Sequence, residues 1–285
     1  MKVAITGAGG MTGSELVRQA VDRGWDVIAL ARSDLDITDA DAVEGVIGHA
    51  RPDVIINAAA YTAVDAAELE VESAMAVNAA GAQNIARTAK VNGAQILHIS
   101  TDYVFDGEST QPYLPDDRPA PINVYGESKL AGELAVKDAC PEHVIVRTSW
   151  VYSHEGKNFL RTMLRAAEEK REIRVVNDQH GCPTSTQDLA RALLCTANLM
   201  MRSYVSGTYH FCNAGPTTWF EFAGAIFEGR ETSAPSILPI PTSDFPTRAR
   251  RPRWSVLDTS SFQLAFGVEP RPWREALKDT MERIS

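Results

Sequence analysis

Short apolar runs rich in β-branched residues recur along the first half of the chain, and longer segments of helical period separate them. The runs show no regular alternation of apolar and polar residues, which is typical of strands in a parallel sheet covered on both faces. The predicted strands span residues 2–6, 25–31, 53–57, 95–101 and 143–152, and the predicted helices span 12–23, 40–50, 71–92 and 125–138. This order predicts an α/β fold with a doubly wound parallel sheet, whose ligand site lies at the carboxyl ends of the strands.

Beyond Tyr152 the alternation becomes less regular. The pattern predicts helices over 158–171 and 185–201, strands over 174–178 and 207–213, and two short helices around a Pro- and Arg-rich segment. We interpret the later strands as extensions of the sheet. The expected sheet domain therefore comprises residues 1–152 and about 174–213, and the expected smaller C-terminal lid comprises about 153–173 and 214–285.

Composition narrows the class of protein. The 285 residues are 44% hydrophobic, enough for a sizeable core, and the net charge of −9 argues against nucleic acid or a membrane surface as partner. No apolar run approaches the ~18 residues of a membrane span, and the N-terminus lacks a signal sequence. The four cysteines have no metal-binding spacing, so we expect reduced thiols, no metal and a cytoplasmic protein.

The segment GAGGMTG, residues 7–13, directly follows the first strand and precedes a helix. Glycines at Gly7, Gly10 and Gly13 permit a tight turn, a close approach of the backbone to a pyrophosphate, and close packing of the helix. The helix N-terminus adds free N–H groups and the positive end of its dipole. In this context the motif favours dinucleotide binding over a glycine-rich turn without a ligand, and it makes the sheet domain an NAD(P)-binding Rossmann domain.

The end of the second strand bears on the choice of cofactor. A carboxylate that binds the adenosine ribose is expected about 20 positions after the glycines. Arg32 stands there instead, which favours the 2′-phosphate of NADP, but Asp34 lies close enough to leave NAD open. Ala58, Ala59 and Ala60 follow the third strand and offer small side chains beside a cofactor, although close helix packing also favours alanine.

Tyr125 and Lys129 are four residues apart on a predicted helix, so they share one face. A cation beside a phenol favours the phenolate, so we expect Lys129 to lower the pKa of Tyr125. In the stretch HISTDYVFDG, residues 98–107, the apolar fourth strand changes abruptly to polar residues where it should reach the cleft. We expect Thr101 to face a substrate carbonyl and Asp102 and Tyr103 to shape its pocket; the alternative is a polar turn capped by Asp102.

Several longer motifs resemble the dTDP-4-dehydrorhamnose reductase family, within the extended short-chain dehydrogenase/reductase superfamily. They are STDYVFDG, NAAAYTAVDAAE, YGESKLAGE, VRTSWVY, DQHGCPTSTQDLA and RPRWSVLDTSSF, and the likeness runs along nearly the whole chain. The resemblance implies catalytic roles for Thr101, Tyr125 and Lys129, and substrate contacts at Thr101, Asp102 and Trp150. It implies cofactor contacts at Gly10, Met11, Thr12, Asp36, Ile37, Ala58, Ala59 and Ala60.

The resemblance also implies an activity: NADPH- or NADH-dependent reduction of the 4-keto group of a nucleotide-diphospho-sugar, dTDP-4-dehydro-L-rhamnose, to dTDP-L-rhamnose. Trp254 departs from the usual Asn of the family and keeps open another nucleotide-sugar 4-ketoreductase or an epimerase. A non-catalytic NADP-binding regulatory subunit is a third hypothesis, and the intact Thr101, Tyr125 and Lys129 argue against it.

Other predictions concern residues expected at the surface. Among Arg248, Arg250, Arg251 and Arg253, we expect Arg251 to hold the substrate diphosphate, the alternative being a solvated loop. Glu15 matches a magnesium-binding glutamate of some relatives, but no second ligand accompanies it, so we predict no metal. Members of the superfamily often pair through the helices at 71–92 and 125–138, so a homodimer is expected.

Overall fold

The computed structural model describes residues 1–169, 171–228 and 235–284. Its strands are β1 Lys2–Thr6, β2 Asp26–Leu30, β3 Val54–Asn57, β4 Gln95–Thr101, β5 His143–Thr148, β6 Val151–Tyr152, β7 Glu172–Val176, β8 His180–Gly181, β9 Thr184–Ser185, β10 Gly207–His210, β11 Thr217–Thr218 and β12 Ser236–Ile240. Its α-helices are α1 Met11–Asp22, α2 Ala40–Val43, α3 Val64–Ala67, α4 Val71–Met75, α5 Ala82–Val91, α6 Val124–Ala139, α7 Phe159–Glu169, α8 Thr186–Met200, α9 Trp219–Phe227, α10 Ser260–Phe266 and α11 Trp273–Glu282. Two π-helical segments, Glu44–Gly48 and Ala76–Gly81, continue α2 and join α4 to α5.

Six strands form a parallel sheet in the order β10-β5-β4-β3-β1-β2. The chain runs outward from β1 to β2 on one side and from β3 onward on the other, so the strand order reverses beside β1. This arrangement confirms the predicted doubly wound parallel sheet. A ligand is expected in the crevice at the carboxyl ends of the strands next to that reversal.

Successive side chains of each strand enter different cores, because they point to opposite faces of the sheet. Val3 and Ile5 of β1 pack with α1 and α8, whereas Ala4 packs with α5 and α6 on the other face. All three side chains are fully buried. Burial on both faces explains why the strands read as continuous apolar runs.

A small lobe, consisting of α7, β7, α9, β12 and α11, packs around its own apolar cluster. Here β7 pairs in parallel with β12. The prediction that residues 174–178 extend the central sheet was therefore wrong, because this strand finds its partner about 60 residues later in the chain. Conversely, Phe262 of α10 is buried in the core of the central sheet, so the C-terminal segment does not belong wholly to the lid.

The predicted strand 143–152 is interrupted. Its first part, β5, ends at Thr148, and Trp150 adopts a left-handed conformation with φ of 47°. The chain then continues as β6, which pairs with β9 instead of β4. This turn carries the chain out of the sheet and toward the small lobe. No helix within the described ranges is both long and apolar enough to cross a membrane.

Candidate active site

A cleft of about 820 Å³ runs along the carboxyl ends of β1 to β5. It lies at the edge that the strand order predicts. Lys157, two residues before α7, and Trp219, the first residue of α9, line the cleft. The cleft is also lined by most of the predicted site residues: Gly7, Gly10, Met11, Thr12, Gly13, Arg32, Asp36, Ile37, Ala58, Ala59, Ala60, Thr101, Asp102, Tyr103, Tyr125, Lys129 and Trp150.

The glycine loop leaves the start of α1 open. Gly7 has φ of 67°, and a side chain there would meet the backbone of Ala58 and Ala59 at 2.6–2.7 Å. A Cβ on Gly13 would collide with the carbonyl oxygen of Gly7. Gly10, the N-cap, provides no capping side chain, and the first turn of α1 contains no acidic residue. The free N–H groups of this 12-residue helix therefore fit the phosphates of a dinucleotide.

At the end of β2 the two candidate polar residues differ in availability. The Asp34 carboxylate accepts a hydrogen bond from the backbone N–H of Ala31 at 2.9 Å and does not line the cleft, whereas Arg32 does. Asp36 accepts two hydrogen bonds from Thr38, and these lower the pKa of its carboxyl. Arg32 lines the cleft at this end, and unlike Asp34 its side chain makes no hydrogen bond within the described residues, so it is available to a ligand.

The loop after β3 is held from below by buried polar groups. Asn57 accepts a hydrogen bond from the Thr6 hydroxyl at 2.7 Å and another from the backbone N–H of Ala59 at 3.2 Å. Its amide nitrogen lies 3.1 Å from Nδ1 of His98. These contacts join β1, β3 and β4, and they therefore hold the backbone of Ala58 to Ala60 in position beside the cleft. The sequence analysis did not single out Thr6, Asn57 or His98 for this role.

Thr101 at the end of β4 and Tyr125 in the first turn of α6 lie together, within hydrogen-bonding reach of each other's side chains. Lys129, one turn further along α6, is buried and donates a hydrogen bond from Nζ to the carbonyl of Ile99 at 2.7 Å. Burial lowers the pKa of Lys129 to about 8, and the charge of Glu133 opposes this shift. The three predicted catalytic residues therefore share one wall of the cleft.

The expected lowering of the Tyr125 pKa by Lys129 was wrong. Burial raises the pKa of Tyr125, and the Asp102 charge and Tyr103 add to that shift, while the hydrogen bond with Thr101 opposes it. The ammonium of Lys129 is engaged by a backbone carbonyl instead. Tyr125 consequently holds its proton at neutral pH, as a proton donor must.

Asp102 and Tyr103 follow Thr101 in a short 3-10 turn. Asp102 is 1% exposed; its Oδ1 accepts from the Thr101 hydroxyl at 3.0 Å, and its Oδ2 has no hydrogen-bond partner in the described structure. Burial raises the pKa of Asp102 to about 6, and the neighbouring Ser255 and Thr101 side chains oppose that shift. Burial likewise raises the pKa of Tyr103 to about 12, although Arg251 opposes it. An unpartnered carboxylate oxygen beside the cleft can accept from a ligand hydroxyl.

Trp150 lies parallel to Trp219, with ring centroids 3.5 Å apart and an interplanar angle of 6°. A Cβ on Gly181 would also collide with the Trp150 ring, so glycine is required there. The indole pair joins the sheet domain to the small lobe across the cleft. Trp219 was missed by sequence reasoning because nothing local to TTWFEF distinguishes it from a core aromatic residue.

The structure does not bring Arg251 to the cleft. Its guanidinium pairs with Asp65 at 2.6 Å and lies 5.9 Å from the Tyr103 ring, so it stands behind the wall that Tyr103 forms. Trp254 also lies outside the cleft lining: its Nε1 donates to the Gln111 carbonyl at 2.9 Å, and its ring packs near His180. The prediction that Arg251 contacts the substrate diphosphate is therefore not supported by its position.

Behind the cleft lies a buried ionic network that the sequence analysis missed. Arg147 of β5 donates two hydrogen bonds to Glu133 of α6, at 2.8 and 2.7 Å, and Ser100 donates a third at 2.6 Å. The Arg147 side chain is 2% exposed and that of Glu133 is fully buried. An arginine inside the apolar run HVIVRT was the available signal, because a buried charge requires a partner.

No group of three or more metal-ligating side chains occurs in the described parts of the chain. Glu15 accepts hydrogen bonds from Arg18 and Gln19 and pairs with Arg283 at 3.4 Å. Its carboxylate is thus engaged within the chain.

Comparisons of the sequence and of the structure with known proteins agree with one another. The family model described as RmlD substrate binding domain matches residues 1–285. The chain is 44% identical over 286 residues to the spore coat polysaccharide biosynthesis protein SpsK of Bacillus subtilis, covering 100% of this chain and 98% of that one. It is 41% identical over 297 residues to the dTDP-4-dehydrorhamnose reductase of Escherichia coli, with coverage of 100% and 98%. The solved dTDP-4-dehydrorhamnose reductase of Bacillus anthracis in complex with NADP superposes with a TM-score of 0.93 at 40% identity, covering 99% of this chain and 100% of that one.

Proposed function

The chain belongs to the dTDP-4-dehydrorhamnose reductase family, and from that premise we propose how its residues carry out the reaction. The protein is an NAD(P)H-dependent oxidoreductase that reduces the 4-keto group of dTDP-4-dehydro-L-rhamnose to give dTDP-L-rhamnose. The observation that supports the assignment of roles is the shared cleft wall of Thr101, Tyr125 and Lys129, beside the open N-terminus of α1.

When bound, the reduced nicotinamide supplies the hydride that the keto carbon accepts. Gly7, Gly10 and Gly13 leave room for the cofactor's phosphates, and Ala58, Ala59 and Ala60 border it on the side of β3. Arg32 is the available polar side chain at the adenosine end and matches a 2′-phosphate, since Asp34 is committed to the Ala31 backbone. We therefore expect NADPH to be preferred over NADH.

Tyr125 is the proton donor to the oxygen that becomes the C4 hydroxyl. Its raised pKa keeps the proton in place until negative charge develops on that oxygen. Thr101 can then turn its hydroxyl toward the developing phenolate, and the buried ammonium of Lys129, one turn away, stabilises negative charge in the same region. Asp102, Tyr103 and Trp150 form the wall against which the sugar is positioned.

Arg251 acts on the substrate indirectly in this scheme, by holding Tyr103 in place through its contact with that ring. The nucleotide-diphospho-sugar occupies the end of the cleft between Trp150 and Tyr103. The homodimer expected from the resemblance stays a prediction.

The test is a comparison of three proteins. Purified wild type is mixed with NADPH and dTDP-4-keto-6-deoxy-L-mannose, and oxidation of the reduced cofactor is followed by absorbance. Tyr125→Phe should lower kcat by roughly 10²- to 10⁴-fold while NADPH binding is retained, because only the proton donor is lost. Tyr103→Phe removes the neighbouring phenol, whose ring centroid is 5.6 Å away, and should have a much smaller effect. If wild type oxidises no more NADPH than Tyr125→Phe does, the proposal is wrong.

A further inference from the structure

A strap of six residues, 153–158, crosses from β6 to α7 and passes over the start of α1. Gly156 has φ of 74°, and a Cβ there would lie 2.9 Å from Cγ of Met11, so the strap backbone rests directly on the first residue of α1. Only glycine fits this combination of a left-handed backbone and close approach. The strap is therefore located against the loop that holds the cofactor's phosphates.

Asn158 fixes the other end of the strap. Its Nδ2 donates to the carbonyls of Ser153 and Glu155, both at 3.0 Å, and contacts Sδ of Met11 at 3.4 Å. Its Oδ1 accepts from the backbone N–H of Arg161 and so caps the first turn of α7. The Asn158 side chain thus contacts the start of the strap, the first residue of α1 and the first turn of α7 in the small lobe.

Lys157 lies between these two anchors. Both of its neighbours in the chain contact Met11, and Lys157 itself lines the same cleft as Gly9, Gly10 and Thr12. Within the described residues its ammonium has no ion-pair or hydrogen-bond partner, and the carboxylate of the nearby Glu155 lies 3.4 Å from His154. Lys157 is exposed, so its ammonium is free to reach an anion in the part of the cleft that the positive end of α1 borders.

We propose that Lys157 binds the diphosphate of the cofactor from the side opposite the glycine loop, an inference that rests on the proposed function. The diphosphate is then held between the N–H groups of α1 and an ammonium carried by the strap. Because the strap leads directly into α7, cofactor binding and the position of the small lobe become coupled. An ammonium to phosphate contact contributes roughly 1 to 2 kcal/mol, which corresponds to about a tenfold change in Kd.

Binding is measured by fluorescence titration of NADPH and of NADH, without sugar substrate, so that activity plays no part. Lys157→Met should weaken both cofactors by about tenfold and by the same factor, since both contain the diphosphate. Lys157→Arg should restore most of the affinity. Arg161→Gln is the matched control: it removes a cation from an exposed site on α7 that does not line the cleft, and Kd should stay unchanged.

Raising the salt concentration should also weaken binding more in wild type than in Lys157→Met, because screening acts on the charge that the variant lacks. Equal affinity of wild type and Lys157→Met would overturn the inference. Weakening of NADPH alone would also overturn it, since that result assigns Lys157 to the 2′-phosphate. Failure of wild type to bind either cofactor would instead refute the proposed function.

Discussion

The buried pair of Arg147 and Glu133 makes a sharp prediction about stability. Arg147→Met leaves the Glu133 carboxylate fully buried, with the Ser100 hydroxyl as its remaining partner. Breaking a buried ion pair by removing one partner costs about 3 to 5 kcal/mol. The substitution also removes the donor to the Pro115 carbonyl, at 3.1 Å, so we expect a loss toward the upper end of that range. Since domains are stable by about 5 to 15 kcal/mol, this is a large fraction of the total.

The reciprocal variant, Glu133→Leu, leaves the buried Arg147 guanidinium without its carboxylate partner. It should lower the unfolding free energy by a similar amount. In the double variant both charges are gone, and leucine and methionine fill much of the same volume. The remaining costs are the unpaired Ser100 hydroxyl and the Pro115 carbonyl, each on the order of 1 kcal/mol, plus imperfect packing. The double variant should therefore be more stable than either single variant.

Urea unfolding followed by circular dichroism gives the four free energies of this double-mutant cycle. If each charge compensates the other, the coupling energy between the two sites is at least about 2 kcal/mol. Strictly additive losses would refute it, because they would mean that neither charge depends on the other for its compensation.

Three further predictions concern two buried ionisable groups of the cleft, Lys129 and Asp102, and one closely packed glycine, Gly132. Burial lowers the pKa of Lys129 to about 8, so its charged form opposes folding. Lys129→Met should therefore raise the unfolding free energy by about 2 to 3 kcal/mol at pH 7, and this gain should vanish near pH 10.5, where lysine is also neutral in the unfolded chain. The same substitution should abolish reductase activity. Burial raises the pKa of Asp102 to about 6, so Asp102→Asn should stabilise by about 2 to 3 kcal/mol at pH 8 and by nothing near pH 3.5, as urea unfolding at both pH values would show. Gly132→Ala pushes a Cβ into the carbonyl oxygen of Asn78 and should lower Tm by several degrees, whereas Gly45→Ala, with open space around it, should leave Tm unchanged or raise it.

The central sheet was predictable because its signal is local. Each strand from β1 to β5 is a continuous apolar run, and the glycine loop and the Tyr125 to Lys129 spacing occupy single short segments. The small lobe was not predictable in the same way. The strand β7 is an ordinary five-residue run whose partner, β12, is about 60 residues distant, and neither sequence indicates which sheet it joins.

The same division applies to the cleft. Residues contributed by the turns after β1 to β4 were found, whereas Lys157 and Trp219 were not, because they come from the small lobe and the segment that leads into it. The competition between Arg32 and Asp34 could not be decided from spacing either. It depends on one hydrogen bond, from the Ala31 backbone to the Asp34 carboxylate, which takes the acidic candidate out of the cleft.

At the polar end of β4, two acceptors compete for the hydroxyl proton of Thr101. Thr101 has a single hydroxyl proton, and in the resting site it is donated to Asp102 at 3.0 Å. When Tyr125 gives up its proton, the same hydroxyl is the group placed to donate to the phenolate, so Thr101 must exchange one acceptor for the other. Burial raises the pKa of Asp102 to about 6, which makes its ionised carboxylate a stronger hydrogen-bond acceptor that competes with the phenolate for the Thr101 proton. Protonation of Asp102, which the raised pKa brings closer to neutral pH, weakens this competing acceptor and leaves the Thr101 hydroxyl available to Tyr125.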